Sequence, residues 1–147
     1  MSLELRLILI ASLVLLAAIV GMAWRLTTGR ARKISSGEKV DFAELGAVKN
    51  GIPVTGPTTK VTFLQFSSDY CVFCGPTARM FEELEKADSN VTHLEVNITN
   101  RLDLANKYNV LQTPTTLVLD RKGFIKSRIG GAPKQQTVID QIGTFDI

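Results

Sequence analysis

The sequence predicts an α/β sandwich, in which helices cover a mixed β-sheet, preceded by one membrane-spanning helix. Three observations lead to this prediction. An uncharged run fills residues 7–24, β-rich and helical patterns alternate over residues 59–147, and the only two cysteines lie three positions apart. A chain of 147 residues has room for one such domain and a short additional segment.

The uncharged run that ends at Trp24 has the length of a transmembrane helix. Its 18 residues would span ~27 Å at ~1.5 Å per residue, close to the ~30 Å hydrocarbon core. Trp24 stands where an amphipathic ring favours the membrane interface. A cleaved signal peptide is the alternative, because Gly21 and Ala23 are small enough to precede a cleavage site. The run is longer than the usual ~7–15 apolar residues of such peptides, so we expect residues 1–24 to form an uncleaved anchor.

The predicted anchor indicates a single-pass protein of the cell membrane. The side of the membrane on which the C-terminal domain lies is left open. Four Lys/Arg follow the span within nine positions, whereas only Arg6 and the terminal amine precede it. Taken alone, this asymmetry places the C-terminal domain in the cytoplasm. The family resemblance described below favours the extracytoplasmic side.

The charge distribution excludes a nucleic-acid-binding domain. Residues 1–58 hold seven Lys/Arg and four Asp/Glu, whereas residues 59–147 hold ten of each. The net charge of +3 therefore belongs to the N-terminal segment, and the neutral domain has no electrostatic footprint for phosphates. Anionic lipid headgroups are the expected neighbours of the basic residues.

Residues 25–58 are predicted to hold a linker and short N-terminal elements. Residues 25–37 are polar, basic and small, ending in Ser35-Ser36-Gly37, which is typical of a linker. Asp41 is predicted to cap a short helix that extends to Val48. Asn50-Gly51 and the prolines that follow indicate turns.

Residues 59–147 are predicted to form the domain, in the order β-α-β-α-β-β-α. Helical stretches have apolar residues three or four positions apart, and strands are short and β-rich or alternating. The predicted elements are a strand over 61–66, a helix over 76–87, a strand over 91–97, a helix over 102–108, strands over 115–119 and 124–129, and a last helix opened by Pro133.

The pair Cys71 and Cys74 is predicted to carry the chemistry, because it follows a strand and precedes a helix. A helix start presents unpaired N–H groups and the positive end of the helix dipole, and both favour a thiolate. The pKa of a cysteine placed there falls from ~8.5 toward ~7 or below. Its thiolate can attack a disulfide, and a second cysteine one turn later can resolve the mixed disulfide. Pro76 is compatible with the first helical turn, which needs no N–H donor.

Other interpretations of this pair remain. A structural zinc site needs about four ligands, whereas the chain offers two cysteines and His93 alone, so no metal site is predicted. A copper(I) carrier needs only two thiolates and stays open. An inert buried pair is disfavoured, because a strand-to-helix junction is usually an exposed edge where ligands bind.

The residues of this domain resemble thioredoxin. Phe66 lies five residues before Cys71, Tyr70 stands where the family usually has tryptophan, and residues 108–115 resemble the run that carries the family's cis-proline. The resemblance covers residues 59–147 and implies a thioredoxin-like α/β/α sandwich. The arrangement as a whole resembles the membrane-anchored thioredoxin-like proteins of bacteria.

The resemblance also implies roles for individual residues. Cys71 would be the attacking thiolate and Cys74 the resolving thiol. Thr113 would bond the substrate backbone, Pro114 would hold the loop beside Cys71, and Tyr70 would flank the groove. The alternative for Thr113-Pro114 is a simple turn at the start of a strand.

Two positions depart from the family. Gln65 occupies the place of a buried carboxylate that helps to move the proton of the resolving thiol, and an amide cannot take a proton. His93 is the nearest candidate for the basic partner, although a lone histidine on a strand is more often an exposed polar residue.

The function predicted from these residues is thiol–disulfide oxidoreduction, as a reductase rather than an oxidase. No bound cofactor is needed, because the electrons pass through the thiols. Expected partners are substrate protein disulfides, an upstream dithiol reductant that could itself be a membrane protein, and the membrane through residues 7–24, with the chain a monomer. The rival functions are a Cu(I) metallochaperone and a non-catalytic thioredoxin-fold interaction module.

Overall fold

A computed structural model describes residues 2–34 and 37–145 of the chain. Its elements are, in chain order, α1 (Leu3–Thr27), β1 (Ala31–Lys33), α2 (Phe42–Leu45), β2 (Val48–Lys49), β3 (Ile52–Pro53), β4 (Val61–Ser67), α3 (Cys74–Ala87), β5 (Val91–Asn97), α4 (Leu102–Lys107), β6 (Thr115–Asp120), β7 (Ile125–Gly130) and α5 (Gln135–Gly143). The seven elements predicted after residue 59 are all present, with bounds that differ by no more than two residues.

The central sheet has five strands in the order β1-β7-β6-β4-β5. Strands β4 and β5 are parallel, whereas the β4–β6, β6–β7 and β7–β1 pairs are antiparallel. The predicted mixed sheet is therefore confirmed. Strands β2 and β3 form a separate hairpin around the predicted Asn50-Gly51 turn.

Two hydrophobic clusters, one on each face of the sheet, form the core. Phe81 of α3 and Val138 of α5 pack with alternate strand residues such as Phe63. On the other face, α2 and α4 pack with the intervening residues such as Leu64 and Phe66. Alternation along β4 sends successive side chains to opposite faces, and the whole strand is buried. The predicted α/β/α sandwich is thus confirmed.

The segment predicted as a linker over residues 25–37 is largely structured instead. Helix α1 continues to Thr27, and Ala31–Lys33 forms the edge strand β1, in register with Ile129, Arg128 and Ser127 of β7. Residues 35 and 36 of this prediction lie outside the described residues. This strand was not predicted because three residues carry too little periodicity, and pairing with β7 determines their conformation.

The short helix predicted after Asp41 is present, but it ends earlier than predicted. The Asp41 carboxylate accepts hydrogen bonds from the N–H groups of Ala43 and Glu44, as a capping residue does. The helix ends at Leu45 because Gly46 adopts the left-handed conformation, with φ 61°. The predicted extension to Val48 is therefore wrong, and Val48 lies in β2.

Helix α1 is long and apolar enough to cross a membrane. None of its residues is buried against the domain. A signal sequence near an N-terminus has the same properties, so length and composition leave the anchor and the cleaved peptide as the two interpretations.

Candidate active site

Cys71 and Cys74 lie at the carboxyl end of β4, where the chain turns into α3. The two sulfurs form a disulfide across a Cα–Cα distance of 5.4 Å. The first residue of α3 is Cys74, so Cys71 belongs to the turn that precedes the helix. The Cys74 N–H donates to the Cys71 carbonyl at 3.4 Å. Phe73 at the helix N-cap provides no side-chain acceptor to the N–H groups of the first turn.

The two cysteines differ in exposure. Cys74 is only 4% exposed, whereas Cys71 is partly exposed. A substrate disulfide approaching from solvent can therefore reach Cys71 more readily than Cys74. Attack must occur along the sulfur–sulfur axis of the target, and such an approach needs the more accessible sulfur.

The loop with the cis-proline lies beside this turn. The Thr113–Pro114 peptide bond is cis, as the sequence analysis predicted. The hydroxyl groups of Thr113 and Ser68 lie 3.1 Å apart and share a hydrogen bond. Ser68 also accepts the N–H of Cys71 through its carbonyl, at 3.1 Å. These two bonds connect the cis-proline loop to the turn that carries Cys71.

A buried pair of polar side chains lies beneath Cys74. Gln65 is fully buried, and its amide nitrogen donates to the Cys74 carbonyl at 3.0 Å. Its amide oxygen lies 3.0 Å from Nε2 of His93. Since that oxygen can only accept, the imidazole carries its proton on Nε2. The buried amide of Gln65 therefore holds the backbone of Cys74 in place.

His93 is buried, contrary to the expectation of an exposed polar residue. Its ring stacks on Phe81 with the centroids 5.1 Å apart. Burial and, to a smaller extent, the positive charge of Lys49 lower the pKa of His93 from 6.5 to about 4. Lys49 donates to the His93 carbonyl at 2.9 Å and pairs with Glu85. The imidazole is thus a neutral donor at physiological pH.

Exposed apolar side chains surround the dithiol. Four of them define what we call the apolar rim: Tyr70 (89% exposed), Val72 (81%), Phe73 (62%) and Leu111 (87%). Tyr70, Val72 and Phe73 adjoin the cysteines in sequence, and Leu111 belongs to the cis-proline loop. Large exposed apolar side chains grouped at a reactive site are typical of a docking surface.

The structure brings most of the predicted site residues to one edge of the sheet. Cys71, Cys74, Thr113 and Pro114 all lie there, and Tyr70 is exposed next to Cys71. Ser68 links the two loops, and it is a site residue that was not predicted from the sequence. A serine one residue after a strand carries no distinguishing signal, so only the three-dimensional structure identifies it.

Comparison with known proteins identifies the family. The sequence model of thioredoxin matches residues 54–144, which is more than half of the chain. The chain belongs to the thioredoxin family. A thioredoxin domain with a disulfide-forming Cys71–Cys74 pair at a helix start is a thiol–disulfide oxidoreductase.

Individual thioredoxins agree with this assignment. Thioredoxin H-type from Oryza sativa subsp. indica is 30% identical over 87 residues, covering 57% of this chain and 70% of that protein. Malaria parasite thioredoxin-2, described as a component of the parasite's protein secretion machinery, has a TM-score of 0.52 and 23% identity over 65% of this chain and 89% of its own. A thioredoxin variant from Halobacterium salinarum NRC-1 has a TM-score of 0.53 and 18% identity, covering 59% and 75%. At these identities the two structural neighbours establish the fold alone.

Proposed function

We propose that this thioredoxin acts as a protein disulfide reductase held at a membrane by α1. The difference in exposure between Cys71 and Cys74 is the observation that supports the proposal most directly. It gives each sulfur a separate role, Cys71 as the attacking thiolate and Cys74 as the resolving thiol. The role of Thr113 and Pro114 in the proposal is to bind an extended substrate segment beside Cys71.

The proposed reaction consists of two thiol–disulfide exchanges. The Cys71 thiolate attacks one sulfur of the substrate disulfide, forms a mixed disulfide, and releases the other substrate sulfur as a thiolate that takes a proton. Cys74 loses its proton and attacks the Cys71 sulfur, which forms the Cys71–Cys74 disulfide and releases the second substrate thiol. Two electrons thereby pass to the substrate, and an external dithiol donor returns the pair to its reduced state.

The surroundings of the dithiol support reduction as the direction. An oxidant of this class is oxidising because its reduced form is stabilised. Here the spacer residues Val72 and Phe73 are exposed and apolar, and neither offers a polar group to a Cys71 thiolate. Gln65 holds the Cys74 backbone but cannot ionise. With little stabilisation of the reduced form, we expect a midpoint potential nearer ~−270 mV than ~−120 mV.

The test uses the full chain in detergent micelles with dithiothreitol as the electron donor and insulin as the substrate. Cys71→Ser should abolish the acceleration of insulin reduction over the rate with dithiothreitol alone. Prereduced Cys74→Ser, mixed with insulin after the dithiothreitol is removed, should accumulate a mixed disulfide that non-reducing electrophoresis detects. Equal trapping by both variants would refute the assigned roles, and a midpoint potential near ~−120 mV in a glutathione buffer would refute the direction.

A further inference from the structure

The end of α1 is hydrogen-bonded to the active-site edge of the sheet. The Gly29 N–H donates to the Gly130 carbonyl at 2.9 Å, and the adjacent Gly131 N–H donates to the Pro114 carbonyl at 2.8 Å. Two successive backbone hydrogen bonds therefore connect Gly29, two residues after the end of α1, with the cis-proline Pro114. The catalytic edge lies where the chain emerges from α1.

Close packing at this junction restricts movement of the domain relative to the end of α1. A Cβ atom on Gly29 would lie 2.4 Å from the Ala132 carbonyl oxygen, and one on Gly131 would lie 2.6 Å from Cγ2 of Thr28. Both glycines also have positive φ, 78° and 80°, which side chains rarely adopt. Only residues 28–30 separate α1 from β1, so the domain cannot move far from the helix end while β1 stays paired.

The strand registers identify which end of the domain lies near α1. Ala31 pairs with Ile129, next to Gly130, and Thr115 pairs with both Gly130 and Phe66. These positions are all at the edge that carries the dithiol. The turn at residues 120–123 lies at the opposite end of β6, roughly 20 Å away at ~3.3 Å per residue.

A groove connects the end of α1 with the cis-proline loop. We call it the junction groove; it has a volume of about 360 Å³ and lies between the last turn of α1 and the cis-proline loop. Trp24 lines it on one side, and Leu111 and Gln112 line it on the other, with Arg30 and Arg128 contributing positive charge. A groove lined by a tryptophan, basic residues and the exposed Leu111 matches the chemistry of a lipid–water interface.

We propose that this thioredoxin directs its dithiol toward the bilayer surface and reduces disulfides of membrane proteins that lie within a few residues of the hydrocarbon boundary. The inference rests on the proposed function and on α1 remaining attached. The 25 residues of α1 are ~37 Å long, enough to cross the ~30 Å core and place Thr28 in the headgroup region. The partner is thus a membrane-embedded chain whose cystine lies near the headgroups and whose flanking segment fits against the apolar rim.

The first experiment tests the orientation without using catalysis. Trp24 is the only tryptophan of the chain, so a Trp24→Phe background allows one reporter to be placed at will. Leu111→Trp reports on the active-site edge, and Lys122→Trp, also at an exposed position, reports on the opposite end. Lipids with a headgroup nitroxide should quench the Leu111→Trp fluorescence at least about twofold more strongly than that of Lys122→Trp. Equal or reversed quenching would overturn the inference.

The second experiment tests substrate choice in proteoliposomes that contain the full chain. One transmembrane peptide carries a cystine loop three residues beyond its span, and a matched peptide carries the same loop after a 30-residue Gly/Ser spacer. We expect at least about tenfold faster reduction of the near loop, because confinement raises its effective concentration at the dithiol. Inserting twelve Gly/Ser residues between Thr27 and Thr28 should abolish the preference while preserving insulin reduction.

The outcomes separate the two proposals. Insulin reduction with equal rates for the near and far loops contradicts the membrane-facing site and leaves the reductase intact. A preference for the near loop that survives the insertion also contradicts it, since the preference would then not depend on the junction. Failure of the full chain to accelerate insulin reduction over the rate with the donor alone contradicts the proposed function itself.

Discussion

Protonation of His93 should destabilise the fold between pH 7 and pH 5. In the unfolded chain the imidazole has a pKa of 6.5, and in the folded protein burial and the charge of Lys49 lower that pKa to about 4. The unfolded state therefore binds more protons between these values. The stabilising contribution is fully present above pH 6.5 and is lost as the pH falls toward 4.

The expected loss follows from these two pKa values. Between pH 7 and pH 5 the linkage relation gives a decrease in the free energy of unfolding of about 2 kcal/mol. Ordinary carboxylates titrate below this range, and the pKa values of Asp103 and Asp120 are lowered further. The charged groups beside the imidazole are Lys49 and its partner Glu85. The pH window thus isolates the imidazole from the acidic groups.

Two measurements check this expectation. The chain has one histidine, so an NMR titration of the imidazole gives its folded-state pKa without ambiguity. Urea unfolding in detergent micelles, followed by circular dichroism, gives the free energy at each pH. His93→Gln preserves a donor toward Gln65 but removes the titration, and its stability should change little over the same window. An imidazole that titrates near pH 6.5 in the folded protein, or an unchanged pH dependence in His93→Gln, would refute the reasoning.

Three substitutions test other parts of the structure. Phe81→Ala removes a fully buried ring between Phe63 and His93 and should lower the unfolding free energy by about 3–5 kcal/mol; a loss below 1 kcal/mol in urea unfolding would contradict this packing. Asp41→Ala removes the cap of α2 and should reduce stability by about 1 kcal/mol in the same assay, whereas Asp41→Asn should retain most of it. Gly131→Ala imposes a left-handed conformation and a contact with Thr28, and should reduce stability by more than about 1 kcal/mol; full stability would show that the junction is looser than described.

The elements of the thioredoxin domain could be predicted because each has a strong local pattern. Helix α3 has Ala78 and Phe81 at helical spacing, and both are buried. Strand β5 was predicted with its observed bounds, Val91–Asn97. Where the pattern is short, prediction failed: β1 has three residues, two of them basic, and its strand conformation depends on β7.

The site was predictable where covalent chemistry restricts the residue type, and less so where packing decides. The cysteines and the cis-proline are recognisable because few residues can take their places. Gln65 was recognised as a departure, but its bond to the Cys74 carbonyl depends on the approach of α3 to β4. His93 is buried where its ring stacks on Phe81, a contact between α3 and β5 that no local pattern encodes.

The position of β1 affects how this protein can be shortened for study. A fragment limited to the family match, residues 54–144, would lack both β1 and the buried Phe42 and Leu45 of α2. The unpaired N–H and C=O groups of β7 would then form an open edge, which is a template for strand pairing between molecules. Such a fragment is expected to self-associate, so its behaviour in solution would describe an exposed sheet edge rather than the intact domain.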